Sequence, residues 1–224
     1  MSTKTRHSEP VRATPCTGLN VFALTGGIAC GKSTVLKMLA SRGWSTVSAD
    51  DVARRVVEPG TEGLRRIIES FGEEVLLADG TLDRARLGRR IFADKSDRLL
   101  LESILHPLIR QEAKLMLERE FQKNPNAPIV YEIPLFFESS QVYPEISKVV
   151  VVYTPRSISL ERLQGRDKLT REEADQRLDA QLDVEDKKNR ADYVITNTGS
   201  LEDLEAEVEQ FHADILKEVR EQQR

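Results

Sequence analysis

The chain has 224 residues, of which 39% are hydrophobic and 31% charged, enough for one substantial core with one or two appended lobes. A net charge of −4 excludes the basic footprint of non-specific nucleic-acid binding, although local basic clusters can still hold phosphates. No apolar run approaches the ~20 residues that span a bilayer, so no membrane segment is expected.

Residues 1–18 carry charge and two prolines but no apolar secretory segment, and they read as a disordered leader. Cys16 and Cys30 are too few for a disulfide framework, which points to a reduced, cytoplasmic setting. Asn20 to Thr25 is a short apolar run followed by glycine and reads as the first strand. Val35, Leu36, Leu39 and Ala40 then recur at helical spacing up to Gly43. Trp44 to Asp50 predicts a second strand ending in an acid.

From Asp51 to about Lys123 the pattern is almost wholly helical. Leu64, Ile67, Ile68 and Phe71 form one apolar stripe, and Leu87 and Ile91 belong to another. Leu108, Leu115 and Leu117 lie along a helix predicted to begin at Pro107, a favoured first-turn residue. Ala127 to Phe137 and Lys148 to Thr154 are continuous apolar runs, the pattern of parallel strands covered on both faces. Thr170 to Glu173 has the form of a capping box. Ala191 to Asn197 predicts the last strand, and a charged helix follows from Leu201. The expected fold is α/β, a five-stranded parallel sheet in which the long helical stretch after the second strand is an inserted lobe.

Gly26-Gly27-Ile28-Ala29-Cys30-Gly31-Lys32-Ser33 fits the spacing G-x-x-x-x-G-K-[ST] in full. Glycines at these positions let backbone N–H groups turn inward around a phosphate chain, and the following helix offers its positive end. Lys32 would reach the β- and γ-phosphates, and the Ser33 hydroxyl would ligate Mg²⁺. The expected nucleotide-binding set is Gly27, Ile28, Ala29, Cys30, Gly31, Lys32, Ser33 and Thr34. With no base beside it in sequence, Cys30 reads as a small tolerated residue.

Two classes of phosphate-loop protein compete at this point. A guanine-nucleotide switch requires Asp-x-x-Gly and Asn-Lys-x-Asp, and the chain contains neither. A small-molecule kinase requires a base at a neighbouring strand end, a substrate lobe and mobile arginines. Asp50 ends the predicted second strand, where an open α/β sheet places its ligands, although Asp50 or Asp51 could instead cap the next helix. Arg162 and Arg166 stand four apart on one helix face and could converge on one phosphate cluster, or form a solvated charged face. Glu132 ends an apolar strand, suited to assisting a metal or to a structural role.

The segments "TGGIACGKST", "ADDVARRVVEPG", "ADGTLDR", "IFAD", "LHPLI", "IPLFFE" and "RLQGRDKLTREEADQRLDAQ" together resemble the dephospho-coenzyme A kinase family over about Asn20 to Glu209. The resemblance implies a phosphate-loop kinase core (residues 19–59, 127–155 and 191–224), a helical substrate lobe (60–126) and a small helical lid (156–190). It implies transfer of the ATP γ-phosphate, with Mg²⁺, to the 3′-hydroxyl of dephospho-CoA, the last step of coenzyme A synthesis. Asp50 matches the family's catalytic acid, with Lys32 and the lid residue Arg166 as catalytic partners. Arg54, His106 and Arg162 join Asp50 in the implied substrate-binding set; His106, before proline, could also cap a turn. The family often reads Asp-Ala-Asp where this chain has Ser48-Ala49-Asp50, so help from a first acid is missing here.

Overall fold

A computed structural model of the chain describes residues 20–139 and 141–222. The expected leader at 1–18 lies outside the described residues. Five strands form one sheet: β1 (Val21–Gly26), β2 (Ser45–Ser48), β3 (Ile129–Glu132), β4 (Lys148–Tyr153) and β5 (Tyr193–Thr196). Their order is β2-β3-β1-β4-β5, and β1 pairs in parallel with β3 and β4, as β4 does with β5. All six residues of β1 are buried, as are the four central residues of β4. This explains the unbroken apolar runs: a central parallel strand has no solvent face on which polar residues could alternate.

The chain divides into two compact units. One contains the residues up to Thr46 and those from Glu120 onward, and the other is Val47–Arg119. In the first unit, α1 (Lys32–Ser41) and α9 (Leu201–Gln222) enclose a core with Phe22, Leu24, Val150, Val152, Ile195 and Phe211. Trp44 stacks obliquely at 5.5 Å on Phe211, and its indole N–H donates to His212 Nδ1 at 2.9 Å, so the burial of this amphipathic ring leaves no orphan donor. The same unit carries α6 (Arg156–Asp167), α7 (Arg171–Asp179) and α8 (Val184–Asn189). The capping box at Thr170 forms as expected, with Glu173 answering on the Thr170 N–H at 2.8 Å.

The second unit holds α2 (Ala49–Arg55), α3 (Glu62–Phe71), a single 3-10 turn at Glu73–Val75, α4 (Arg84–Ala93) and most of α5 (Lys95–Lys123). Its core gathers Val56, Ile67, Phe71, Val75, Leu87 and Ile104. Thr61 and Asp83 cap α3 and α4 through side-chain oxygens.

Two expectations are corrected. Pro107 starts no helix, since it lies inside the 29 residues of α5. A proline there forfeits one backbone bond, but Leu101 and Ile104 before it and Ala113 and Leu117 after it are buried, and that burial holds both halves in one helix. Leu115 is exposed and belongs to no buried stripe. The second strand also ends earlier than expected, at Ser48, so Asp50 is the second residue of α2. Among the described residues, no helix is long and apolar enough to cross a membrane.

Candidate active site

The phosphate loop leaves β1 at its C-terminal end, beyond which an open parallel sheet collects ligands. Two close approaches explain its glycines. A Cβ on Gly26 would lie 2.5 Å from the Val152 carbonyl oxygen, and one on Gly31 would lie 2.3 Å from Asn197 Nδ2. Gly31 also takes φ 94°, a left-handed conformation in which a side chain is strained. Glycine at these two positions lets the backbone run tight against β4 and Asn197 as it enters α1, whose N-terminal N–H groups are the donor chemistry a phosphate chain requires.

The loop is gripped at one atom. The Cys30 carbonyl oxygen accepts the Asn197 side-chain amide at 2.8 Å and lies 3.2 Å from the Thr154 hydroxyl. Thr154 follows β4 and Asn197 follows β5, so two strand ends fix the loop from below. The Cys30 thiol is buried, in keeping with a small packing residue. Lys32 curls back over the loop, its ammonium donating to the Gly27 carbonyl at 2.8 Å and to Gly26 at 3.3 Å. Ser33, the second residue of α1, is exposed, and Thr34 is half-buried beside it. Gly27, Ile28 and Ala29 complete the loop, Ala29 in a left-handed conformation at φ 58°.

Arg162 and Arg166 both belong to α6 but do not converge. The Arg162 guanidinium turns to Asn197 Oδ1 at 3.3 Å, next to the grip on the loop. Arg166 instead lies on Asp167 at 2.7 Å, and Arg177 reaches the same carboxylate at 2.8 Å. The Arg166 hydrogen bond, followed by the charges of Arg166 and Arg177, holds the Asp167 carboxyl below the usual range. All three side chains are solvent-accessible, so this cluster contributes little to stability and its partners can be exchanged cheaply.

Asp50, Arg54 and His106 lie in the second unit. Asp50 is exposed in the first turn of α2. The N-cap there is Ser48, without a side-chain cap bond, so the capping alternative for Asp50 and Asp51 is not taken. Both acids still lie at the positive end of α2. Arg54 approaches Asp51 at 3.7 Å in an exposed pair. His106 is half-buried in the interior of α5 and caps no turn. A groove of about 310 Å³ in this unit is lined by Arg55, Thr61, Leu108, Gln111, Glu112 and Leu115, among others.

Glu132 is the last residue of β3, in register with Leu24. Among the described residues no group of three or more His, Cys, Asp or Glu could hold a metal ion. Asn197 and Thr154 were not singled out from sequence. Their signal was available, since both are polar residues directly after apolar parallel strands, where such sheets place their ligand-binding groups.

The family model for dephospho-CoA kinase matches residues 20–203. A dephospho-CoA kinase of Listeria monocytogenes is 45% identical over 196 residues, 88% of this chain and 97% of that protein. One from Geobacter sulfurreducens is 44% identical over 195 residues, covering 87% and 98%. Among solved structures, the dephospho-CoA kinase of Campylobacter jejuni superposes with a TM-score of 0.68 at 38% identity, covering 88% of this chain and 98% of that one. TT1252 of Thermus thermophilus gives 0.69 at 34%, covering 88% and 97%.

Proposed function

The chain belongs to the dephospho-CoA kinase family, and on that premise we propose that it transfers the ATP γ-phosphate to the ribose 3′-hydroxyl of dephospho-CoA, the last step of coenzyme A synthesis. The observation that carries this reading is the phosphate loop itself: a turn with no room for a side chain at Gly26 or Gly31, after a buried parallel strand, with a lysine ammonium lying over it. The same reading includes the cytoplasmic setting expected from the two cysteines of the sequence.

The transfer is in-line and depends on positioning and charge neutralisation. Loop N–H groups and the N-terminus of α1 hold the phosphates, and Lys32 exchanges its carbonyl partners for phosphate oxygens. Arg166 leaves Asp167, at small cost, to neutralise charge on the moving phosphoryl group, and Arg162 assists from its seat on Asn197. Asp50 accepts or orients the 3′-hydroxyl proton. Arg54, on α2, and His106, on the helical lobe of residues 60–126, serve substrate binding, and residues 156–190 act as the lid that excludes water.

The exposed Ser33 would hold Mg²⁺ carried in on the phosphates through its hydroxyl, since this ion keeps waters and takes few protein ligands. When bound, that ion would supply further neutralisation of the phosphate charge. A coupled ADP-release assay comparing dephospho-CoA with AMP, CMP and adenosine tests the substrate. Turnover confined to dephospho-CoA is expected, and comparable rates on a nucleoside monophosphate would overturn it.

A further inference from the structure

The N–H groups of the phosphate loop differ in what they face. That of Ile28 is taken, since Gln181 Oε1, in the link between α7 and α8, accepts it at 2.9 Å. Glu138 fastens that link: its Oε1 accepts the Leu182 N–H at 3.0 Å and lies 2.6 Å from the buried Lys187 ammonium. The Gly31 N–H, by contrast, has no acceptor among the described residues.

The direction of the Gly31 N–H follows from the other end of its peptide. The Cys30 carbonyl and the Gly31 N–H share one planar trans unit, so they point opposite ways. Asn197 Nδ2 donates to that carbonyl at 2.8 Å, which turns the N–H away from the ends of β4 and β5. Thr154 does not duplicate this hold. Its hydroxyl has one proton, and the Asn197 backbone carbonyl at 3.0 Å lies nearer to it than the Cys30 carbonyl at 3.2 Å. The Asn197 carboxamide is also held against flipping. Its oxygen faces the Arg162 guanidinium at 3.3 Å, a group that has donors alone.

We propose that Asn197 is a positioning residue for the phosphoryl transfer: oriented by Arg162, its amide fixes the Cys30–Gly31 peptide so that the Gly31 N–H is presented to a phosphate oxygen. The proposal rests on the loop being the triphosphate seat. Without the amide the Cys30 carbonyl loses its dedicated donor and the peptide turns. One hydrogen bond to the nucleotide is then lost, while Lys32 and Ser33 stay in place.

This peptide can be read directly, because Cys30–Gly31 is the one place in the sequence where glycine follows cysteine. Labelling cysteine with ¹³C at the carbonyl and glycine with ¹⁵N therefore isolates a single amide signal in the full-length chain. Inorganic tripolyphosphate is titrated into wild type, Asn197→Leu, Asn197→Ala and Thr154→Val, with melting temperatures as the check on folding. In wild type the Gly31 amide proton moves downfield as it bonds the anion. In the Asn197 variants that movement is lost, and calorimetric affinity falls about 10–100-fold, the worth of one hydrogen bond to a charged group. Thr154→Val keeps the movement and binds within about threefold of wild type, since the amide donor is intact. The Michaelis constant for ATP rises with the Asn197 variants, while that for dephospho-CoA stays within about twofold. If Asn197→Leu does not fold, Asn197→Ala decides alone. Asn197 variants that keep both the signal movement and the affinity overturn the proposal. So does a Thr154→Val that loses as much as they do, which would make the effect one of stability. A wild-type chain that binds neither tripolyphosphate nor ATP overturns the loop reading itself, and the proposal with it.

Discussion

Replacing Gly31 by alanine tests whether the loop is held in the way its geometry indicates. The new methyl group meets two penalties. The backbone at φ 94° and ψ 19° is left-handed, which disfavours an L side chain by about 1–2 kcal/mol. The Cβ also arrives 2.3 Å from Asn197 Nδ2, so that amide must give up its bond to the Cys30 carbonyl. Losing a buried hydrogen bond costs about 1–3 kcal/mol, and the lower part of that range applies because the Thr154 hydroxyl still lies beside the same carbonyl. The expected loss is therefore about 2–4 kcal/mol. In a chain of this size that lowers the melting temperature by roughly 5–15 °C. Urea unfolding of Gly31→Ala, Asn197→Ala and the double variant separates the two penalties. Without the Asn197 amide the clash disappears and only the backbone strain remains, so the double variant should lose about 1 kcal/mol less than the sum of the singles. A Gly31→Ala loss below about 1 kcal/mol, or additivity within about 0.5 kcal/mol, would refute the reasoning.

Asp50→Asn should slow turnover by about 10²–10⁴-fold while affinity for both substrates and the melting temperature hold, and near-normal turnover would remove Asp50 from the chemistry. Arg166→Ala should lower kcat much more than it raises KM for dephospho-CoA, because its phosphoryl partner is fully charged only in the transition state; the opposite split would make it a ground-state binder. Lys187→Met leaves Glu138 without its counter-ion and should lose about 3 kcal/mol in urea unfolding. The double variant Glu138→Gln, Lys187→Met should recover most of that loss, since glutamine still accepts the Leu182 N–H, and no recovery would rule out the uncompensated charge as its cause.

Local signals were readable before the structure. The phosphate loop, the Thr170 capping box and the covered strands each depend on residues within a few positions of one another. The second strand, expected to reach Asp50 and ending at Ser48, shows where local reading ends: an apolar run does not mark the point at which a helix takes over its last residues. Pro107 shows a second limit, because the burial that carries α5 through a proline comes from tertiary packing. The arginines of α6 show a third. Their helical spacing was visible, but Arg162 takes its direction from Asn197, 35 residues onward, and Arg166 from an immediate neighbour that also attracts Arg177. Gln181 and Glu138 lay within recognisable motifs, yet their partners are 153 and 44 residues away.

The grip on the Cys30 carbonyl has a consequence for the order of events during synthesis. Thr154 and Asn197 lie 124 and 167 residues downstream of the atom they hold. At ~5–20 residues per second, Asn197 is made about 8–33 seconds after Cys30, and later still clears the ribosome. Until then β1 and α1 can form around the glycines, but the loop lacks one of its two anchors, and contacts this distant in sequence are slow to close. The segment that looks, near the start of the chain, like a ready-made nucleotide seat thus becomes one only when β5 joins the far edge of the sheet. A nascent chain stalled before Asn197 would carry the whole motif and still hold nucleotide poorly.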